Sequence, residues 1–153
     1  MWRQLLAAAV LPIARAWVAT QERRILVAGV PLDEQQLMDA RAAGVNQPQR
    51  IRLLRVKTVP SLRLRSLRAA ALKLGVLSPH TAGLTARYGI FIREDFWRHR
   101  ALLVHEFAHT AQYERLGGIK PFLRAYLREC LEEGYPLGPL EMEAAAAARR
   151  ICR

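Results

Sequence analysis

The chain has 153 residues, which is enough for one compact domain with a hydrophobic core and too few for two full domains. Hydrophobic residues make up 52% of it and charged residues 24%, a globular composition that excludes the disordered and fibrous classes. No stretch reaches the roughly 18 consecutive apolar residues of a membrane-spanning helix. The two cysteines, Cys130 and Cys152, are too few for a disulfide scaffold, so we expect reduced thiols in a cytoplasmic protein.

The net charge of +11 comes from one segment of the chain. Residues 41–93 contain 11 lysines and arginines and no acidic residue, whereas the rest of the chain carries 13 bases (24 − 11) and all 13 acids. Such a segment can bind an anionic surface, such as a phosphate backbone or acidic lipid. The sequence favours a solvated, arginine-rich surface instead, because aromatic residues do not alternate with the bases as stacking platforms would.

The first predicted helix runs from Trp2 to Ala28 and fills an N-terminal helical region, residues 1–30. Its apolar start has the look of a short signal peptide, but Pro12 and Arg15 interrupt the apolar run. One helical face carries four apolar residues, which are Leu6, Val10, Ile13 and Trp17. We expect this face to dock on the body of the domain, and a helix that lies on a membrane surface is the alternative.

Residues 31–79 are predicted to form a helix, a strand and a second helix. Asp33 is expected to cap the first of these helices, which ends at Gly44. Arg50–Val59 has the β-branched residues and alternating bases of a strand. Ser61–Gly75 is the next predicted helix, opened by a serine and closed by a glycine.

Residues 80–148 are expected to form the core of the domain. Two short apolar runs separated by two residues predict a β-hairpin, Ala82–Ala86 and Gly89–Arg93. Asp95 is expected to cap a long helix over Phe96–Leu116. Two further helices follow, Pro121–Glu133 and Leu140–Arg150. The order of these elements predicts a single small α+β domain.

The long predicted helix carries the motif His105-Glu106-Phe107-Ala108-His109. Two histidines four residues apart lie one turn apart on the same helical face, so both imidazoles can bind one metal ion. Glu106 points beside that ion, where its carboxylate can take a proton from a water molecule. The apolar residues Ala101–Val104 that precede the motif place it on a buried helix, where its polar groups need partners.

A catalytic zinc ion takes three protein ligands, so a third ligand must come from elsewhere in the chain. His80 and His99 are candidates by residue type. A glutamate at the start of the last helix is the better candidate, because that helix follows a rigid loop and can pack across the long one. Glu141 and Glu143 both lie there, about 200° apart around the helix axis, so only one of them can face the metal.

The two strongest motifs are the HExxH element extended to Gln112 and the later run Pro139-Leu140-Glu141-x-Glu143-Ala144. Shorter matches stand before and between them, which are Gly83-Leu84-Thr85, Gly89-Ile90-Phe91-Ile92, Gly117-Gly118, Phe122-Leu123, Tyr126 and Tyr135-x-x-Gly138. Together these motifs resemble the small bacterial gluzincin-type domains, zinc metallopeptidases that include core domains of contractile-injection-system proteins. The resemblance covers about residues 80–148.

The resemblance implies a minimal zincin-like fold, in which a small, mostly antiparallel sheet packs on the active-site helix. It implies one Zn²⁺ per chain and no other cofactor, with Glu106 as the general base and three ligands, His105, His109 and Glu141. Glu143 is the alternative third ligand. The chain departs from the pattern at Ala145, which stands where the partner of a ligand histidine is expected.

The reaction implied is hydrolysis of a peptide or protein substrate by zinc-activated water. Gln112 can orient the site or make a packing contact, and Tyr135 can donate to the oxyanion or pack in its loop. Strand Gly89–Arg93 is expected to hold an extended substrate by edge pairing. Two alternatives belong to other classes, a zincin-fold interaction module without turnover and a basic module that binds nucleic acid or anionic lipid and keeps a structural zinc.

Overall fold

Residues 1–61, 81–134 and 136–153 are described by a computed structural model. Nearly all of the predicted helix Ser61–Gly75 and two candidate site residues, His80 and Tyr135, lie outside these ranges. The described residues form five α-helices, which are α1 (Trp2–Ala28), α2 (Glu34–Ala42), α3 (Arg100–Leu116), α4 (Ile119–Glu132) and α5 (Pro139–Ile151). They also form four strands, which are β1 (Val30–Pro31), β2 (Arg52–Val56), β3 (Gly83–Ala86) and β4 (Gly89–Arg93). None of these helices combines the length and the hydropathy that crossing a membrane requires.

The four strands form one mixed sheet in the order β1-β2-β4-β3. β2 runs parallel to β4, and the other two pairings are antiparallel. The predicted α+β class is therefore confirmed. Because β4 lies between β2 and β3, the expectation that Gly89–Arg93 offers a free edge to a substrate is wrong. Four of its five residues are buried, as in a central strand covered on both faces, and β3 forms an edge of the sheet as the structure describes it.

Helix α1 docks on one face of the sheet, as the sequence predicts. Val18 and Ile25 are buried against Phe91 of β4, in a cluster that also contains Phe122 of α4. Ile13 does not join this face, since 41% of its surface is exposed. Trp17 of the predicted face does pack on this cluster, together with positions 11, 14 and 18, which leaves Ile13 on the flank of the helix.

Helices α2 and α3 cover the opposite face of the sheet. Ile90 and Ile92 point to this side because successive residues of a strand face opposite ways, and they pack there on Phe107 of α3 and Ala40 of α2. The buried face of α3 therefore rests on the sheet, and the HExxH motif lies at this contact.

The β3–β4 hairpin is tied to α1 by a partly buried ion pair. Arg87 occupies the turn with a φ of 55°, a left-handed conformation that is uncommon for a residue with a side chain. Its Nε and Nη2 atoms both donate to the carboxylate of Glu22 at 2.7 Å, and the Tyr88 amide donates to the same carboxylate at 3.1 Å. Glu22 is only 4% exposed and the Arg87 side chain is 36% exposed, so the turn is held by a bidentate pair of which the carboxylate is the buried partner.

The start of α2 follows the sequence prediction, whereas the start of α3 does not. Asp33 caps α2 in a capping box with Gln36. Asp95 instead lies in a 3₁₀ turn (Glu94–Phe96) and pairs with Arg93, so its prediction as the cap of the long helix is wrong. His99 caps α3, because its Nδ1 accepts from the Leu102 amide at 3.1 Å.

The predicted strand Arg50–Val59 is shorter than expected. Pro48–Arg50 forms a 3₁₀ turn, and β2 begins at Arg52 and ends at Val56. The proline at the start of that turn fixes the backbone angle that the turn requires and has no amide to give to a ladder, which delays the start of the strand.

Candidate metal centre

Three side chains from two helices converge at the contact between α3 and α5. His105 and His109 come from α3, and Glu141 comes from the first turn of α5. The Nε2 atoms of the histidines are 3.1 Å apart, His105 Nε2 is 3.1 Å from Glu141 Oε2, and His109 Nε2 is 3.2 Å from Glu141 Oε1. Ligand atoms at 2.0–2.1 Å from a tetrahedral ion are about 3.3 Å apart, so this cluster has the spacing of a metal-ligand set. The side chain of His105 is 24% exposed, so the cluster can be reached from solvent.

Small residues bring α5 close enough to α3 for this convergence. Ala144 and Ala147 of α5 pack on Val104 and Ala108 of α3 in a buried cluster. Alanine side chains permit a short distance between helix axes, so Glu141, one turn before Ala144, reaches the two histidines. The alanine run therefore positions the third candidate ligand as well as favouring the helix.

Glu143 is not part of the group that could hold an ion. Arg115 has the largest effect in lowering its pKa, and a hydrogen bond with Gln112 and the charge of His109 both help to lower it. Both of its carboxylate oxygens bind Arg115, at 2.8 and 3.0 Å, and 48% of its side chain is exposed. Two glutamates about 200° apart on one helix cannot both face α3. The structure brings Glu141 to the histidines and places Glu143 in a surface ion pair.

Gln112 fixes the ring of His109. Its Nε2 donates to the Leu140 carbonyl at 2.9 Å, so its Oε1 must face His109 Nδ1, which lies 2.9 Å away. A carbonyl oxygen only accepts, and Nδ1 therefore carries the hydrogen. Nε2 of His109 is left as the nitrogen that faces the cluster, which is the tautomer that a metal ligand needs. Of the two roles expected for Gln112, this geometry supports the orienting one.

Tyr126 is a site residue to which the sequence analysis assigned no role. Its hydroxyl donates to Glu141 Oε1 at 2.6 Å, and its ring stacks with Phe122 beside His109. The signal was present in the sequence, because Phe122, Tyr126 and Cys130 recur every four residues on the buried face of α4. Tyr126 holds the Glu141 carboxylate on the side opposite His105.

Glu106 lies beside the cluster with its carboxylate buried. The residue is 5% exposed, and its Oε2 accepts from the Thr85 hydroxyl at 2.6 Å. Its negative charge is near enough to His109 to raise the pKa of that imidazole. The carboxylate thus lies next to the candidate ligands without belonging to the group that could hold the ion.

The charges of the cluster are coupled. Burial alone would raise the pKa of Glu141, but hydrogen bonds from His105 and His109 outweigh it and hold that pKa well below its ordinary value. Burial alone would lower the pKa of His109, but its hydrogen bond to Glu141 and the charges of Glu106 and Glu141 raise it to about 9. A proton on His109 therefore balances the buried carboxylates, and a cation that binds here must displace that proton.

The remaining candidates lie elsewhere. His99 is used as the cap of α3 and does not join the cluster, and His80 and Tyr135 are outside the described residues. In the described part of the chain, His105, His109 and Glu141 are the histidine, cysteine or acidic side chains close enough together to hold a metal ion. Comparisons of the chain with protein-family models, with curated proteins and with solved structures find no match.

Proposed function

We propose that the chain is a zinc-dependent metallopeptidase. The observation that carries the proposal is the convergence of His105, His109 and Glu141. The Nε2 atoms of the two histidines are 3.1 Å apart, and they lie 3.1 and 3.2 Å from different carboxylate oxygens of Glu141. Two imidazoles and one carboxylate are a donor set of catalytic zinc sites, which keep a fourth position for water or substrate. Zinc bound there would lower the pKa of a water molecule and polarise a peptide carbonyl.

Within this proposal each neighbouring residue has a task. Glu106 accepts the proton of the attacking water and returns it to the leaving amine. Gln112 holds His109 in the tautomer with a free Nε2, and Tyr126 holds the Glu141 carboxylate in place. Because these outer groups are hydrogen-bonded to the ligands and at least partly buried, the ligand set is formed before the ion arrives.

The substrate is proposed to be an extended peptide that pairs with β3. β3 contacts α3 and forms an edge of the sheet, so its backbone can add a strand next to the HExxH helix. β4 cannot take this role, because both of its neighbours are already strands of the sheet.

The basic module receives less support from the structure. Several bases of residues 41–93 are occupied within the protein, since Arg87 pairs with Glu22 and Arg93 pairs with Asp95. Arg50 lies over the Tyr88 ring, 4.0 Å from its centroid. An interaction module that keeps zinc without turnover stays the main alternative to the peptidase.

Hydrolysis of a quenched-fluorescence peptide library by the zinc-loaded protein tests the proposal. Glu106→Gln preserves the size of the side chain and removes the base, so we expect at least about 100-fold slower hydrolysis with unchanged zinc content. Glu34→Gln is the matched control, because Glu34 is an exposed glutamate in the first turn of α2, and its rate should stay within about twofold of the unmodified protein.

Two results would contradict the peptidase proposal. Equal hydrolysis by the Glu106→Gln variant would remove its proposed base. Stoichiometric zinc without hydrolysis of any library peptide would favour the interaction module.

A further inference from the structure

Strand β3 contacts both carboxylate oxygens of Glu106. Gly83 and Thr85 are two residues apart in β3, so they face the same side, towards α3. The Thr85 hydroxyl donates to Glu106 Oε2 at 2.6 Å. A Cβ at Gly83 would lie 2.9 Å from Glu106 Oε1, so the bare Cα borders the other oxygen.

Thr85 is held firmly enough to act as a fixed point. Its backbone pairs with Ile90 in the antiparallel β3–β4 ladder, and its carbonyl accepts from the Tyr113 hydroxyl at 3.3 Å. The residue is 8% exposed, and its hydroxyl also lies 3.1 Å from the main-chain oxygen of Glu106. A buried β-branched side chain in a strand has few rotamers, so the position of the hydroxyl oxygen is fixed, and the Glu106 carboxylate at 2.6 Å is the nearer of its two acceptors.

Gly83 is required by the position of Glu106 rather than by its own backbone angles. A methyl group there would be 3.1 Å from Cδ and Cγ of Glu106 as well as 2.9 Å from Oε1. The atoms it would strike belong to the end of a flexible side chain, so the carboxylate would move and the strand would stay. An alanine at this position should therefore displace the carboxylate without unfolding the domain.

We infer that β3 sets the position of the Glu106 carboxylate, through the hydroxyl of Thr85 and the missing side chain of Gly83. Thr85 is thus a positioning residue for the general base, a role that rests on the proposed function of Glu106. The contact itself does not depend on that function. Because β3 is also the proposed substrate edge, one strand aligns both the peptide and the group that activates water.

The affinity of the zinc-loaded protein for acetohydroxamic acid depends on the position of the Glu106 carboxylate and can be measured without substrate turnover. Titration calorimetry gives this affinity. A hydroxamic acid gives up its proton to a neighbouring carboxylate when it binds a metal, so a displaced Glu106 weakens it. We expect Thr85→Val and Gly83→Ala each to weaken binding about 10-fold or more, and Thr85→Ser to stay within about threefold. Thr110→Val is the matched control, because it removes a buried threonine hydroxyl that donates to the Arg87 carbonyl instead.

A double-mutant cycle on the metal-free protein tests the same contact by a second route. The fall in unfolding temperature caused by Thr85→Val should be at least about halved when Glu106 is already Ala, because the partner is gone. The fall caused by Thr110→Val should be the same in both backgrounds. An equal Thr85→Val effect in both backgrounds would overturn the inference.

The two routes separate the inference from the proposed function. If the unmodified protein takes no zinc, the proposed function fails, and the cycle alone decides whether Thr85 holds Glu106. If zinc and hydroxamate bind but Thr85→Val and Gly83→Ala keep the affinity within about twofold, the inference fails and the peptidase proposal stands.

Discussion

Replacement of Gln112 by methionine gives a direct test of how His109 is oriented. Methionine has nearly the same length and volume, so the change removes two hydrogen bonds, those to His109 Nδ1 and the Leu140 carbonyl, without opening a cavity. At a net value of about 0.5–1.5 kcal/mol per bond, the free energy of unfolding of the metal-free protein should fall by about 1–3 kcal/mol.

Gln112→Met should also weaken zinc binding, in addition to its effect on the free energy of unfolding. The loss of affinity should be larger than that caused by a substitution on the protein surface. Without its partner, the ring of His109 can rotate or carry its hydrogen on Nε2, the nitrogen that faces the cluster. Loss of such an outer partner weakens metal binding by about 10–100-fold, which is about 1.4–2.8 kcal/mol.

Competition with a chromophoric zinc chelator measures this affinity, and urea unfolding measures the stability. Gln35→Met is the control, because it makes the same substitution at a glutamine that donates to Asp39 within α2 and contributes nothing to the cluster. A Gln112→Met protein that binds zinc within about twofold of the unmodified chain would refute the orienting role.

Three further predictions follow from the same cluster. Glu141→Ala should abolish tight zinc binding in the chelator competition, whereas Glu143→Ala should change the affinity by less than about tenfold, and the reverse order would exchange their roles. Tyr126→Phe should weaken zinc binding by about 10-fold in that assay without changing the fold seen by circular dichroism. Folding raises the pKa of His109 from the ordinary histidine value of 6.5 to about 9, so protonation stabilises the metal-free protein fully below about pH 6.5. Urea unfolding should show this stability being lost as pH rises through 9, and a flat profile would contradict the pairing of His109 with Glu141.

Local signals predicted the elements whose partners lie within a few residues. Asp33 caps α2 because Gln36 completes a capping box three residues later, and the two-residue spacing of the hairpin is visible in the sequence. The start of α3 shows the limit of this approach. Asp95 and His99 are both able to cap a helix. In the structure Asp95 forms an ion pair with Arg93, and His99 caps α3.

The position of β4 could not be read from its own residues. Its parallel partner β2 ends more than 30 residues earlier in the chain. The two strands pair in a register that places Leu53 beside Ile90. An apolar strand of this length fits the centre or the edge of a sheet until that distant pairing is known. The same reason explains why Tyr126 received no role, since its contact with Glu141 depends on how α4 and α5 meet.

The sequence predicts the positions of the two histidine ligands more completely than the position of the glutamate. The spacing of His105 and His109 alone places both on one face of a helix, which the structure bears out. Spacing alone says that one of Glu141 and Glu143 faces α3, and the resemblance, not the spacing, points to Glu141. The rotation of α5 that decides between them is set by the packing of Ala144 and Ala147 on α3.

X-ray diffraction from crystals of the zinc-loaded protein, recorded on both sides of the zinc absorption edge, tests the central claim most directly. The account predicts one anomalous peak per chain, within about 2.0–2.2 Å of His105 Nε2, His109 Nε2 and a carboxylate oxygen of Glu141. A peak at other residues, or no peak at this cluster when zinc is in excess, would contradict the account.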